Sequence, residues 1–91
     1  MKAGYSDDKA SLLKRLSRIE GQVRGISRMV TDDTYCIDVL TQIAAIKAAI
    51  DQVGLRLLED HIKHCVTDSV RAGEEAKVEE LVRAVSRFAR S

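Results

Sequence analysis

Apolar residues return at helical spacing along three stretches of the chain. Between about Asp7 and Val30, the residues Leu12, Leu16, Ile19, Val23, Ile26 and Val30 alternate steps of four and three, which lines them along one side of a helix. Ser6 or Asp7 is the expected N-cap, with acid in the first turn where the helix dipole favours it. The cluster Thr31-Asp32-Asp33-Thr34 breaks the pattern, and Asp33 or Thr34 is suited to cap the next helix. From about Tyr35 to Val66, Ile37, Leu40, Ile43, Ile46, Ile50, Val53, Leu57, Leu58 and Ile62 make an apolar surface wider than one seam, interrupted only by Gly54. Gly73 fits a left-handed turn, and Val78, Leu81, Val82, Val85 and Phe88 then form a third stripe, with Arg87 and Arg90 at its end. The expected fold is all-α, a single domain over residues 1–91 with helices at about 7–30, 35–66 and 74–89.

The middle helix is too long for its own chain to cover. At 1.5 Å per residue it extends about 48 Å. A chain of 91 residues hides only roughly 60% of its unfolded surface, and often depends on a metal, disulfides or a partner. Two copies packed antiparallel about a two-fold axis would bury the excess apolar face, so a helical dimer is expected. Gly21 and Gly25, one turn apart in the first helix, suggest close approach by another backbone.

Composition narrows the class. Proline is absent and aromatic residues are only 3%, so the core is aliphatic. With 45% hydrophobic and 32% charged residues the chain is globular rather than disordered. No apolar run approaches the roughly 20 residues of a membrane span, and Met1-Lys2-Ala3-Gly4-Tyr5 lacks a signal peptide's apolar stretch. A cytoplasmic protein is expected. The net charge of +1 is unevenly spread, with +4 over residues 1–30, −4 over residues 31–70 and +1 over the remainder. Lys14, Arg18, Arg24 and Arg28 fall opposite the apolar stripe of the first helix and, with Arg15, give it a basic surface that suits a polyanion.

The candidate chemistry lies in four residues. Both cysteines, Cys36 and Cys65, are expected to be free thiols or metal ligands in a reducing compartment, and both histidines, His61 and His64, lie within four residues of Cys65. His61 and Cys65 are one turn apart on one helix face, which is how a helix offers two ligands to one ion. His64 points about 100° away from Cys65 and is read as a bystander. Cys36 sits in the first turn of the long helix, where the dipole favours a thiolate. Along one unbroken helix Cys36 and His61 are about 37 Å apart, so one chain cannot bring all three to an ion. The antiparallel dimer does so, joining Cys36 of one copy to His61 and Cys65 of the other, twice by symmetry. Two thiolates and one imidazole form a soft trigonal set suited to Cu(I), with Zn²⁺ a competitor that would need a fourth ligand. No nucleophile–base pair and no phosphate-cradling glycine loop is readable, so neither an enzyme nor a small-molecule substrate is expected.

The run RIEGQVRGISRM (Arg18 to Met29), with DTYCIDVLTQ (Asp33 to Gln42) and HIKHC (His61 to Cys65), resembles the copper-sensing operon repressor family, over nearly the whole chain from Tyr5 to Arg90. The resemblance implies an all-helical dimer that pairs into a tetramer, and copper ligands at Cys36, His61 and Cys65. It also implies that Tyr35 and Glu80 stand behind those ligands as hydrogen-bonding partners, with Glu79 the neighbouring acid. Relatives that sense nickel or cobalt carry histidine where Cys65 stands, those that sense persulfide lack the histidine found here as His61, and those that sense formaldehyde carry proline where this chain has Lys2. Arg15 matches a residue implicated in operator binding. The arginine that some relatives carry in the middle of the long helix has no counterpart, since position 55 is Leu and only Arg56 is near.

The expected function is a copper(I)-responsive repressor that binds operator DNA without metal and releases it on binding Cu(I), derepressing copper-resistance genes. The other readings are a thiol-based redox or electrophile sensor on the same scaffold, a copper buffer that does not bind DNA, and a helical dimerisation module.

Overall fold

The computed structural model describes residues 3–90, and among these every regular element is helical. Lys2 lies outside the described residues. The order is a 3₁₀ turn at Ser6–Asp8, α1 at Lys9–Thr31, α2 at Cys36–His61, a π-helical turn at Ile62–Val66, α3 at Thr67–Arg71 and α4 at Glu75–Arg90. The chain divides into two compact units, residues 8–53 and residues 54–90 together with the N-terminal segment up to Asp7, and α2 runs from the first into the second.

In the first unit the apolar stripe of α1 splits. Leu12 and Ile19 are buried and Ile26 is half-buried, whereas Leu16, Val23 and Val30 are 40%, 49% and 62% exposed. The two halves of a four-and-three repeat lie on adjacent sides of a helix. One α2 segment covers only one of those sides. Ile37, Leu40, Ile43 and Ile50 of α2 are likewise exposed, and Val53 is the buried residue on that stretch. Gly21 and Gly25 meet nothing closer than the tips of Arg24 and Arg28, at 3.7 and 3.8 Å from a methyl built on each, so among the described residues no backbone of another segment comes within 4 Å of that methyl.

Both ends of α1 differ from the expected caps. Ser6 does not cap the helix, since its hydroxyl donates back to the Ala3 carbonyl at 2.8 Å; Asp8 takes the N-cap position without a side-chain capping bond. Asp33 does not cap α2. It is left-handed at φ 54°, and closes α1. The Thr34 amide donates to the Met29 carbonyl at 2.9 Å and the Asp33 amide to the Val30 carbonyl at 3.2 Å, the paired bonds that satisfy the last carbonyls of a helix.

The second unit extends the long helix one turn past its expected end at Val66. His61, Val66 and Thr67 all keep right-handed helical backbone, so α2, the π turn and α3 form one continuous path to Arg71. Both the amide and the hydroxyl of Thr67 donate to the Ile62 carbonyl, five residues back, the hydroxyl at 2.8 Å. That i to i+5 bonding accommodates one extra residue in the turn. Gly73, at φ 78°, ends α3 by the same pair of bonds seen after α1. In α4, Leu81 and Phe88 are half-buried while Val78, Val82 and Val85 stay exposed, and the Phe88 ring lies directly on Gly54.

Candidate metal centre

His61 is the last residue of α2 and Cys65 lies within the π turn. They line one groove of about 520 Å³ with His64, Asp68, Glu74, Lys77 and Glu80. His64, read from α-helical spacing as pointing elsewhere, lies in the same π turn as Cys65, and it too lines the groove. Glu80, on α4, faces the same groove, and the adjacent Glu79 is not part of its lining. His61 and His64 are exposed and Cys65 is half-buried.

The N-terminal segment lies over this site, which the helical pattern had not indicated. A Cβ placed on Gly4 would come within 2.9 Å of the Asp60 carbonyl oxygen, 3.0 Å of the Cys65 Sγ and 3.2 Å of the His61 Cα. Only a residue without a side chain fits there. The signal in the sequence was a lone glycine before a Tyr-Ser turn, too weak to name a partner. Lys63, next to His64 in the chain, bonds Glu59 at 2.9 Å; the hydrogen bond and charge of Glu59 hold its ammonium above the usual lysine range.

Cys36 is the first residue of α2 and is exposed, with Tyr35 beside it, 67% exposed. It therefore starts the helix that His61 ends. Among the described residues, no three His, Cys, Asp or Glu side chains come together to hold an ion. Both thiols are free.

The basic residues of α1 are not one uniform face. Lys14, Arg15 and Arg18 line a groove of about 440 Å³ in the first unit, together with Ser11, Gln22 and Gln52 over a floor of Ile19 and Ala49. Arg24 is bonded instead to Glu20 at 2.8 Å. Arg28 lines a neighbouring hollow of about 370 Å³ that shares Gln22 with that groove and includes Asp32 and Gln42. No helix is long and apolar enough to cross a membrane among the described residues.

The chain resembles proteins of known activity over most of its length. It is 50% identical over 91 residues to the copper-sensing transcriptional repressor RicR of Mycobacterium tuberculosis, covering 97% of this chain and 95% of that protein. The fold matches the crystal structure of the copper-sensing repressor CsoR with Cu(I) from Geobacillus thermodenitrificans NG80-2, with a TM-score of 0.86 and 50% identity, over 91% of this chain and 88% of that one. It also matches the nickel-responsive transcriptional regulator InrS, with a TM-score of 0.75 and 41% identity, over 87% of this chain and 90% of that one. Responses to different metals thus occur on one fold, and the donor atoms must choose between them. Residues 8–87 match the model of the metal-sensitive transcriptional repressor family, and the chain belongs to that family.

Proposed function

We propose that this protein is a cytoplasmic copper(I)-responsive repressor, one domain over residues 1–91, which holds operator DNA without metal and releases it when Cu(I) binds, derepressing copper-resistance genes. The observation that carries this reading is the grouping of His61 and Cys65 with Glu80 on one groove, while Cys36 starts the same long helix. The donors fit the ion. Two thiolates and an imidazole are soft and few, as Cu(I) prefers, whereas Zn²⁺ competes only by adding a fourth ligand such as His64 or a groove carboxylate.

Cys36 of one protomer completes the site on His61 and Cys65 of another in an antiparallel dimer, and two dimers pair into a tetramer. The exposed Leu16, Val23, Val30, Leu40, Ile43 and Ile50 support that assembly. Covering a Leu, Ile or Val side chain fully is worth about 1.5–3 kcal/mol, so several together favour a permanent interface. One ring nitrogen of His61 would hold the copper together with the two thiolates. The other nitrogen is free to donate to Glu80 on α4, with Tyr35 placed beside Cys36, so metal occupancy is tied to helix packing. By linkage, the form that binds copper more tightly is the one that binds DNA less well.

Lys14, Arg15, Arg18, Arg24 and Arg28 contact DNA mainly through phosphates, so affinity falls steeply with salt. Much of the specificity then comes from DNA shape. His61→Ala is the test: operator binding persists and copper no longer releases it. Copper-dependent release of that variant at ordinary copper concentrations refutes the mechanism and favours a thiol sensor, for which His61 is dispensable. A protein that binds copper but never shifts the operator is a buffer.

A further inference from the structure

The carboxylate content of the grooves separates them. The groove at the candidate metal centre carries Asp68, Glu74 and Glu80, and the hollow at Arg28 carries Asp32. The groove between α1 and α2 in the first unit has three cations, Lys14, Arg15 and Arg18, and no acid in its lining. Its remaining polar groups are Ser11, Gln22 and Gln52, all exposed. A concave site with three positive charges and neutral hydrogen-bond donors on its walls selects an anion. The amide of glutamine donates to a phosphate oxygen and also accepts, so it tolerates the sugar and base edges around one.

We infer that this groove seats the DNA backbone and that Gln52 and Gln22, one from each helix, are operator-contact residues alongside the α1 cations. The inference rests on the repressor reading and deepens it. It places the contact from the long helix at Gln52, in a chain whose position 55 is Leu. It also ranks the cations: Arg15 and its two neighbours act together in the groove, while Arg24 is already shared with Glu20 and Arg28 stands beside Asp32.

The test uses the full-length metal-free protein and an operator duplex selected by that protein from a randomised pool, with binding followed by fluorescence anisotropy over a range of salt. Gln52→Glu is expected to weaken binding at least about fivefold, as expected for a lost phosphate contact met by a like charge. Gln52→Lys is expected to tighten binding and steepen the salt slope by about 0.9 for each groove that meets the duplex, a gain that a misfolded variant cannot mimic. Ser86→Glu adds the same negative charge at an exposed position of α4 outside all three grooves, and is expected to change affinity less than about twofold, since salt screens a charge beyond about 8–10 Å.

Equal losses in Ser86→Glu and Gln52→Glu would mean a general charge effect, and would overturn the assignment. So would a Gln52→Lys variant whose affinity and salt slope match wild type. A groove that takes inorganic phosphate at constant ionic strength, in a protein whose operator binding ignores Gln52→Glu, belongs to a small anion instead. Wild-type protein that selects no duplex at all defeats the repressor reading itself, a separate outcome.

Discussion

Replacing Gly54 by Ala sets two known effects against each other. In the interior of a helix, Ala is favoured over Gly by about 1 kcal/mol, so local propensity alone predicts a more stable protein. In the folded chain, however, a Cβ at position 54 would run into the Cε2 and Cζ atoms of Phe88. The overlap is with the body of an aromatic ring, so the ring must leave its rotamer or α4 must move off α2. Overpacking of this kind costs about 1–3 kcal/mol, and the half-buried ring also loses part of its contact area. The overlap outweighs propensity, and Gly54→Ala is expected to be destabilising by about 1 kcal/mol. For a domain of this size that lowers the melting temperature by roughly 4–8 °C, measured at fixed protein concentration because association shifts the midpoint. Phe88→Leu removes the obstacle. In a double-mutant cycle the two changes together should cost at least about 1 kcal/mol less than their sum. A Gly54→Ala protein that melts higher than wild type, with no coupling to position 88, would refute the packing of Phe88 on Gly54.

Other consequences follow from single contacts. Gly4→Val cannot keep the N-terminal segment against Asp60 and Cys65, so alkylation of the Cys65 thiol, followed by mass spectrometry, should speed up severalfold in the metal-free protein; an unchanged rate would contradict that contact. Gly73→Ala places a Cβ in a left-handed position and should cost roughly 1–2 kcal/mol in chemical denaturation, with operator affinity unaltered in the folded fraction. If the copper site is shared between protomers, mixed dimers of Cys36→Ser and His61→Ala chains should regain one copper site that neither parent forms, seen by Cu(I) titration against a competing chelator. No recovery on mixing would mean that the ligands come from one chain.

Much of the candidate site was legible from spacing. His61 and Cys65 were expected to share one side of the helix, and they share a groove; Glu80 of α4, which lines it too, was indicated by the family resemblance and not by spacing. What spacing missed was His64 on that groove and Gly4 over the thiol. The first lies in a π turn, which α-helical periodicity does not mark. The second joins residues about sixty positions apart, for which a lone glycine carries no periodic signal. Asp33 was misread for a related reason. Asp is favoured both as a helix N-cap and in left-handed backbone, and local sequence does not say whether it closes α1 or begins α2.

Helical content, the order of the three amphipathic segments and the presence of soft donors at helical spacing followed from the chain alone, because they depend on bonds and side-chain directions within four or five residues. Tertiary structure decided which half of the α1 stripe is buried, which cations of α1 gather with Gln52, and why α2 carries a glycine where Phe88 rests. Those outcomes depend on which faces of separate helices meet. Each helix offers several comparable faces, and only burial against a particular neighbour, through contacts distant in sequence, selects among them.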